Sequence, residues 1–389
     1  MDAEVRRDGS GAERGSGSPD LPGIEAVEQR IRAGERLGAA DGLALFASDD
    51  LARLGGLAHA ARTRVNGDAG HFALVRPLSV AAAAPAGAGG EVTEEEHAAA
   101  VVRLAQEGGT DGLVELRLDA AGCPAGRFLP LLRALRAALP DGVALTGCTA
   151  ADVRRFAAES GTDTDAADGI EGVLARLADA GLESLAGDDA GVFDPGVRAH
   201  FPGLPTWEEW AQVHRAAHAR GLSSACTLLL GHTEEPAHVV DHLLRLRALQ
   251  DETGGFREFA PLLHEDGAGH TAGRSGGPAS RTVTGAETFK TFAVCRLLLD
   301  NVAHIAVDRA AFGDQTAQLT LQFGADELAG PVAEARGAAA PDAPGRDELV
   351  ELIRDAGFRP VERTAGYGTV HAYDGPDPDR REAPQPMRV

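Results

Sequence analysis

The sequence predicts an α/β fold whose strands run parallel, wound as a barrel or partial barrel. Short apolar segments alternate with amphipathic helical segments about six times in one continuous run. An unbroken run of such units favours a barrel over two Rossmann halves. Neither a G-x-G-x-x-G turn after a strand nor a G-x-x-x-x-G-K-[ST] loop occurs, which removes support for a dinucleotide or P-loop fold. At 389 residues the chain is long enough to form one such barrel.

The elements follow in order. Residues 1–20 are charged and rich in Gly and Ser, which predicts a disordered tail. Residues 21–67 predict a helical cap: Ile24, Val27 and Ile31 recur at helical spacing, and a further helix runs from near Asp49 to the Asn66-Gly67 stop. The barrel is expected over 68–330. HFALVR (71–76) predicts its first strand, and Thr93 with Glu96 forms a capping box for a helix ending at Gly108-Gly109. Strands are then expected at 112–118, 143–147, 182–187, 224–231, 257–263 and 304–307, with helices at 128–139, 206–221 and 236–255. Residues 264–285 are a polar, Gly-rich loop after a strand, the position where barrels build their sites. Residues 331–374 predict a small extension with a helix and a short strand from 346 to 363, and 375–389 a flexible tail.

Composition narrows the function. The net charge of −22 opposes a nucleic-acid partner and an anionic membrane surface. No run of about 18 apolar residues exists to span a bilayer. The absence of an apolar core near the N-terminus argues against a signal peptide, and four scattered cysteines then predict free thiols in the cytoplasm. His214 with His218, and His238 with His242, sit at i, i+4, a zinc-compatible spacing. Neither pair is H-E-x-x-H, which favours surface or capping histidines. Trp207 and Trp210 read as helix packing, and Arg296 with Asp300 as a helical ion pair. Lys290 is the only lysine, and Asn301 is one of two asparagines.

Several strings carry a resemblance: HVVDHLLRLRALQDETGGF (238–256), TGAETFKTFAVCRLLLDNVAHI (284–305), QTAQLTLQFGADEL (315–328) and LIRDAGFRPVER (352–363). ERLGAADGLALFASDDLARLGGLAH (35–59), DAGLESLAG (179–187) and the C-terminal DGPDPDRREAPQPMRV agree with them. Together they resemble aminofutalosine synthase, a radical SAM enzyme of the futalosine route to menaquinone. The resemblance implies a radical-SAM-type partial (β/α)6 TIM-like barrel with N-terminal helices. It also implies a [4Fe–4S] cluster on a C-x-x-x-C-x-x-C loop after the first strand, with one iron left open for S-adenosylmethionine. The 5′-deoxyadenosyl radical then adds to an enolpyruvyl ether of benzoate.

The chain departs from that pattern at the cluster loop. Residues 77–90 contain no Cys, His, Asp or Glu, and Ser79 is a poor partner for iron beside sulfide. A second departure is GDDAGVFDP (187–195), where the family carries a glycine run with a glutamate. The expected function is therefore a cluster-less paralog acting as a non-radical binding or accessory protein. A [4Fe–4S] cluster is expected to be absent, no metal ligands are assigned, and S-adenosylmethionine remains a cofactor candidate. The expected partners are a small nucleoside or carboxylate ligand and a protein of the same pathway. One alternative is an active synthase ligating its cluster through Cys123, Cys148 and Cys226. Another is a barrel repurposed for non-radical chemistry on a related nucleoside. The candidate cofactor contacts are Cys123, Asp188 and Asp189; the candidate substrate contacts are His232, Glu234, Lys290 and Asn301.

Overall fold

The computed structural model describes residues 21–80, 94–106, 110, 112–161, 167–264, 278–330 and 345–376. The proposed disordered tail, most of the cluster-loop segment and most of the Gly-rich loop lie outside the described residues. The strands are β1 (Ala69–Phe72), β2 (Val75–Ser79), β3 (Glu115–Asp119), β4 (Ala144–Gly147), β5 (Leu182–Leu185), β6 (Ser223–Leu230), β7 (Phe256–Leu263), β8 (His304–Asp308), β9 (Glu327–Ala329), β10 (Arg359–Arg363) and β11 (Thr369–Ala372).

Among the described residues, eleven strands form one sheet in the order β11-β10-β1-β9-β8-β7-β6-β5-β4-β3-β2. Every pairing is parallel except β10 with β11. The curl of the sheet follows from its connectivity. β1 and β2 lie at the third and last positions of the order, yet only Ala73 and Leu74 join them. Two residues span about 10 Å at most, so β2 must curve back beside β1 and the sheet must wrap around a lumen. The expected partial barrel is therefore observed.

The sequence segment 71–76 is not one strand. Its first half pairs with β9 and β10, its second half with β3. The C-terminal segment also contributes more than a satellite: β10 and β11 extend the same sheet beyond β1.

The helices pack outside the curl. Leu116 and Leu118 on β3, and Leu145 on β4, are buried beneath them, and together with Phe128, Leu132 and Phe156 they belong to one continuous core. Alternation along a strand then turns Glu115, Arg117 and Thr146 to the lumen. The cap helices Ile24–Ala33, Ala39–Ala47 and Leu51–Asn66 lean on the helices Pro236–Thr253 and Gly285–Leu298.

Candidate functional site

The lumen is polar. Glu115 is fully buried, and its Oε1 accepts from Thr146 Oγ1 at 2.8 Å, Arg117 Nη2 at 3.1 Å and Arg257 Nη2 at 3.2 Å. Burial pushes its carboxyl up, but the Arg257, Arg117 and Arg363 charges outweigh that and hold it far below the usual range. Across the lumen Glu258 Oε2 accepts from Tyr367 at 2.9 Å and lies 3.4 Å from Arg363 Nη2. Arg363 also grips Glu327, with Nε 2.9 Å from Oε2. Three guanidiniums thus balance three carboxylates in a low-dielectric interior, where each charge needs its partners.

A β-bulge makes this possible. Ser224 pairs with Phe256 and Ala225 with Glu258, so Arg257 has no opposite number on β6. The extra residue lets the adjacent Arg257 and Glu258 both reach the lumen. A second buried group lies beside it. Asp326 accepts from Arg296 Nη2 at 2.6 Å, the Ile305 amide at 2.7 Å and His304 Nδ1 at 2.7 Å, with His71 Nδ1 at 3.3 Å. His304 stacks on Tyr367 with ring centroids 3.5 Å apart. The ligand atoms of His71, His304 and Asp326 lie within 4.8 Å of one another, a cation-sized arrangement. Arg296 already neutralises the carboxylate, however, and a dication there would add uncompensated buried charge.

A separate cleft of about 390 Å³ opens between the helical cap and the chain beyond β6 and β7. Phe46, Leu230 and Val239 line it, with Glu234, Arg281 and Lys290. Lys290 Nζ donates to the Phe46 carbonyl at 3.0 Å. Glu234 accepts from Gly231 N and His232 N, both at 2.8 Å, and from Arg281 at 2.6 Å.

The expected site residues do not share one place. Glu234 and Lys290 line the cleft. His232 sits behind Glu234, its Nε2 donating to the Leu229 carbonyl at 2.9 Å, and burial lowers its pKa. Asn301 lies apart from these residues. It lies beyond the other end of the Gly285–Leu298 helix and donates to Arg247 O at 2.8 Å and Asp251 at 2.7 Å, far along the helix from the cleft. The Asp189 carboxylate accepts from Trp210 Nε1 at 2.9 Å and Ala151 N at 2.7 Å, which ties two helices together. Asp188 lies in the electrostatic field of Arg117 near the lumen.

Other expectations also shift. Arg296 pairs with Asp326, not Asp300, which binds Arg36. His214 and His242 are fully buried rather than surface residues, while His238 does cap its helix, accepting from Glu235 N at 3.1 Å. Sequence reasoning missed the lumen residues. Their signal was present: Glu115 and Arg117 alternate with leucines, and charges inside strand segments are seldom buried without a purpose.

The cluster that the resemblance implies requires three convergent thiolates. All four cysteines are buried. Burial pushes the Cys123 thiol up to about 11 and raises Cys148 and Cys226 well above the ordinary value. Cys148 and Cys123 lie in each other's field near the ends of β3 and β4. Cys226 points the other way, toward the helical layer, where it donates to Glu258 O at 3.5 Å and neighbours Cys295. The set Cys123, Cys148 and Cys226 is therefore not gathered, and these residues do not fit a [4Fe–4S] cluster.

Residues 254–374 match the CofH/MqnC C-terminal region family model. The chain is 46% identical to aminodeoxyfutalosine synthase of Streptomyces coelicolor, over 93% of this chain and 98% of that protein. It is 32% identical to aminodeoxyfutalosine synthase of Thermus thermophilus, over 91% and 97%. Among solved structures it resembles the FeFe-hydrogenase maturase HydG of Carboxydothermus hydrogenoformans, with TM-score 0.61 and 16% identity over 88% of this chain and 80% of that one. Methylornithine synthase PylB matches with TM-score 0.58 and 14% identity, over 86% and 97%. These structural likenesses bear on the fold, whereas the sequence relatives bear on the family. The near full-length identity establishes that this chain belongs to the aminodeoxyfutalosine synthase family.

Proposed function

We propose that this protein is a member of the family that has given up radical chemistry and works as a binding or accessory protein of menaquinone biosynthesis. Its ligand is a small nucleoside or carboxylate, and it acts in the cytoplasm beside another protein of the pathway. One observation carries the reading: the thiol donor set. The chain has four cysteines, no two near enough in sequence to share a loop, and all four are buried with their thiols kept protonated. A [4Fe–4S] cluster with one open iron needs three cysteine sulfurs converging on one point. The barrel wall and its charged lumen, by contrast, remain suited to holding a polar small molecule.

Anaerobic reconstitution with iron and sulfide tests this. The expected outcome is sub-stoichiometric iron and no 5′-deoxyadenosine from S-adenosylmethionine under reducing conditions. Stoichiometric iron with the broad absorbance of a [4Fe–4S] centre, and deoxyadenosine formation, would overturn it. Thermal shifts with aminofutalosine, adenosine or S-adenosylmethionine report the retained binding, since a ligand of the native state raises stability by mass action.

A further inference from the structure

We propose that Arg117 and Ser184, two strands apart in one layer of the lumen wall, receive the carboxylate of a small ligand. Register places them together. Arg117 on β3 is opposite Thr146 on β4, and Thr146 is opposite Ser184 on β5. The register shift leaves Glu183 as the extra residue on β5, exposed and paired with Arg136, and Ser184 opposite the inward-facing Thr146 turns inward with it. Arg117 lies on an interior strand with neighbours on both sides, yet 42% of its side chain stays open. It borders a space within the curl.

The bonding pattern selects the ligand class. Arg117 spends Nε and Nη2 on Glu115. Its Nη1 has no acceptor among the described residues. Ser184 is fully buried, and its hydroxyl likewise has no partner. Thr146 between them already donates to Glu115. Two donors in one layer, both lacking an acceptor, match a planar oxyanion, and guanidinium geometry suits a carboxylate. An unpaired buried hydroxyl is costly to retain, so a ligand that accepts from it recovers that cost. Asp188 shares the field of Arg117 and weakens its pull on any second carboxylate.

This inference rests on the reading of the barrel as a ligand holder, but it is tested separately. The probes are acetate and benzoate, each set against its neutral isostere, acetamide or benzamide, at fixed ionic strength. Saturation-transfer NMR and thermal shift on the full chain read binding. Benzoate or acetate is expected to bind and the amides not. R117Q and S184A should each weaken binding about tenfold, the loss expected for a hydrogen bond to a charged group. D188N should tighten it, a gain that no folding defect could imitate. Equal binding of acid and amide, unchanged binding in both R117Q and S184A, or no binding of either acid by the parent chain would overturn the proposal. Iron content reads the cluster question independently, so either result can fail while the other stands.

Discussion

Asp189 shows how a residue with the right chemistry can serve packing instead. It is 3% exposed, and it joins the indole of Trp210 to the start of the Ala150–Glu159 helix. Asp189→Ala should cost about 2–4 kcal/mol in urea unfolding, because a buried indole N–H and a backbone amide both lose their acceptor. Asp189→Asn, which keeps one oxygen, should cost less. The four thiols make a second residue-scale case. With burial holding them protonated, none should react with Ellman's reagent in the native protein at pH 8, and all four should react in guanidinium. Fast reaction of two or more native thiols would contradict the burial on which the function rests. Charge in the strands was the legible but unread clue: REF at 257–259 and VER at 361–363 supply Arg257, Glu258 and Arg363 to the lumen. The bulge that aims two successive residues inward leaves no mark in composition, since a bulge depends on the pairing strand as much as on its own residues.

At the scale of elements, the helices Trp207–Ala219 and Pro236–Thr253 carry histidines that the fold keeps neutral. Burial lowers His242 to about 3 and His218 to about 4, and His214 falls in the same direction. The sign is fixed by the unfolded chain, whose histidines titrate near 6.5. Below that pH the unfolded state takes up protons that the native state refuses. Stability is therefore complete above about pH 6.5 and declines as pH falls toward 4, by up to about 1.4 kcal/mol per unit for each histidine. Urea midpoints should drop steadily between pH 7 and pH 5, above the range where carboxylates titrate; a flat profile there would show that these rings are solvated. Helices were easy to place from their apolar faces, as with the helix expected at 206–221 and observed at Trp207–Ala219. The split of residues 71–76 into two strands was not legible. Both halves are apolar and extended, and only the distant partners β9 and β10 on one side, and β3 on the other, separate them.

For the whole molecule, the family likeness and the parallel alternation made the architecture legible, and the net charge of −22 told little about the interior. What the sequence hid was the lumen, because it is assembled from β3, β4, β5, β7, β9 and β10, no two of which lie in one local segment. One feature of that assembly reaches beyond the folded state. β1 is the first strand made, yet its partners begin at Glu327 and Arg359, more than 250 positions downstream. During synthesis it must wait, unpaired, until almost the whole chain has left the ribosome. The seam at β1 thus closes only once β9 and β10 have been made, and a product ending before them carries a bare edge open to aggregation.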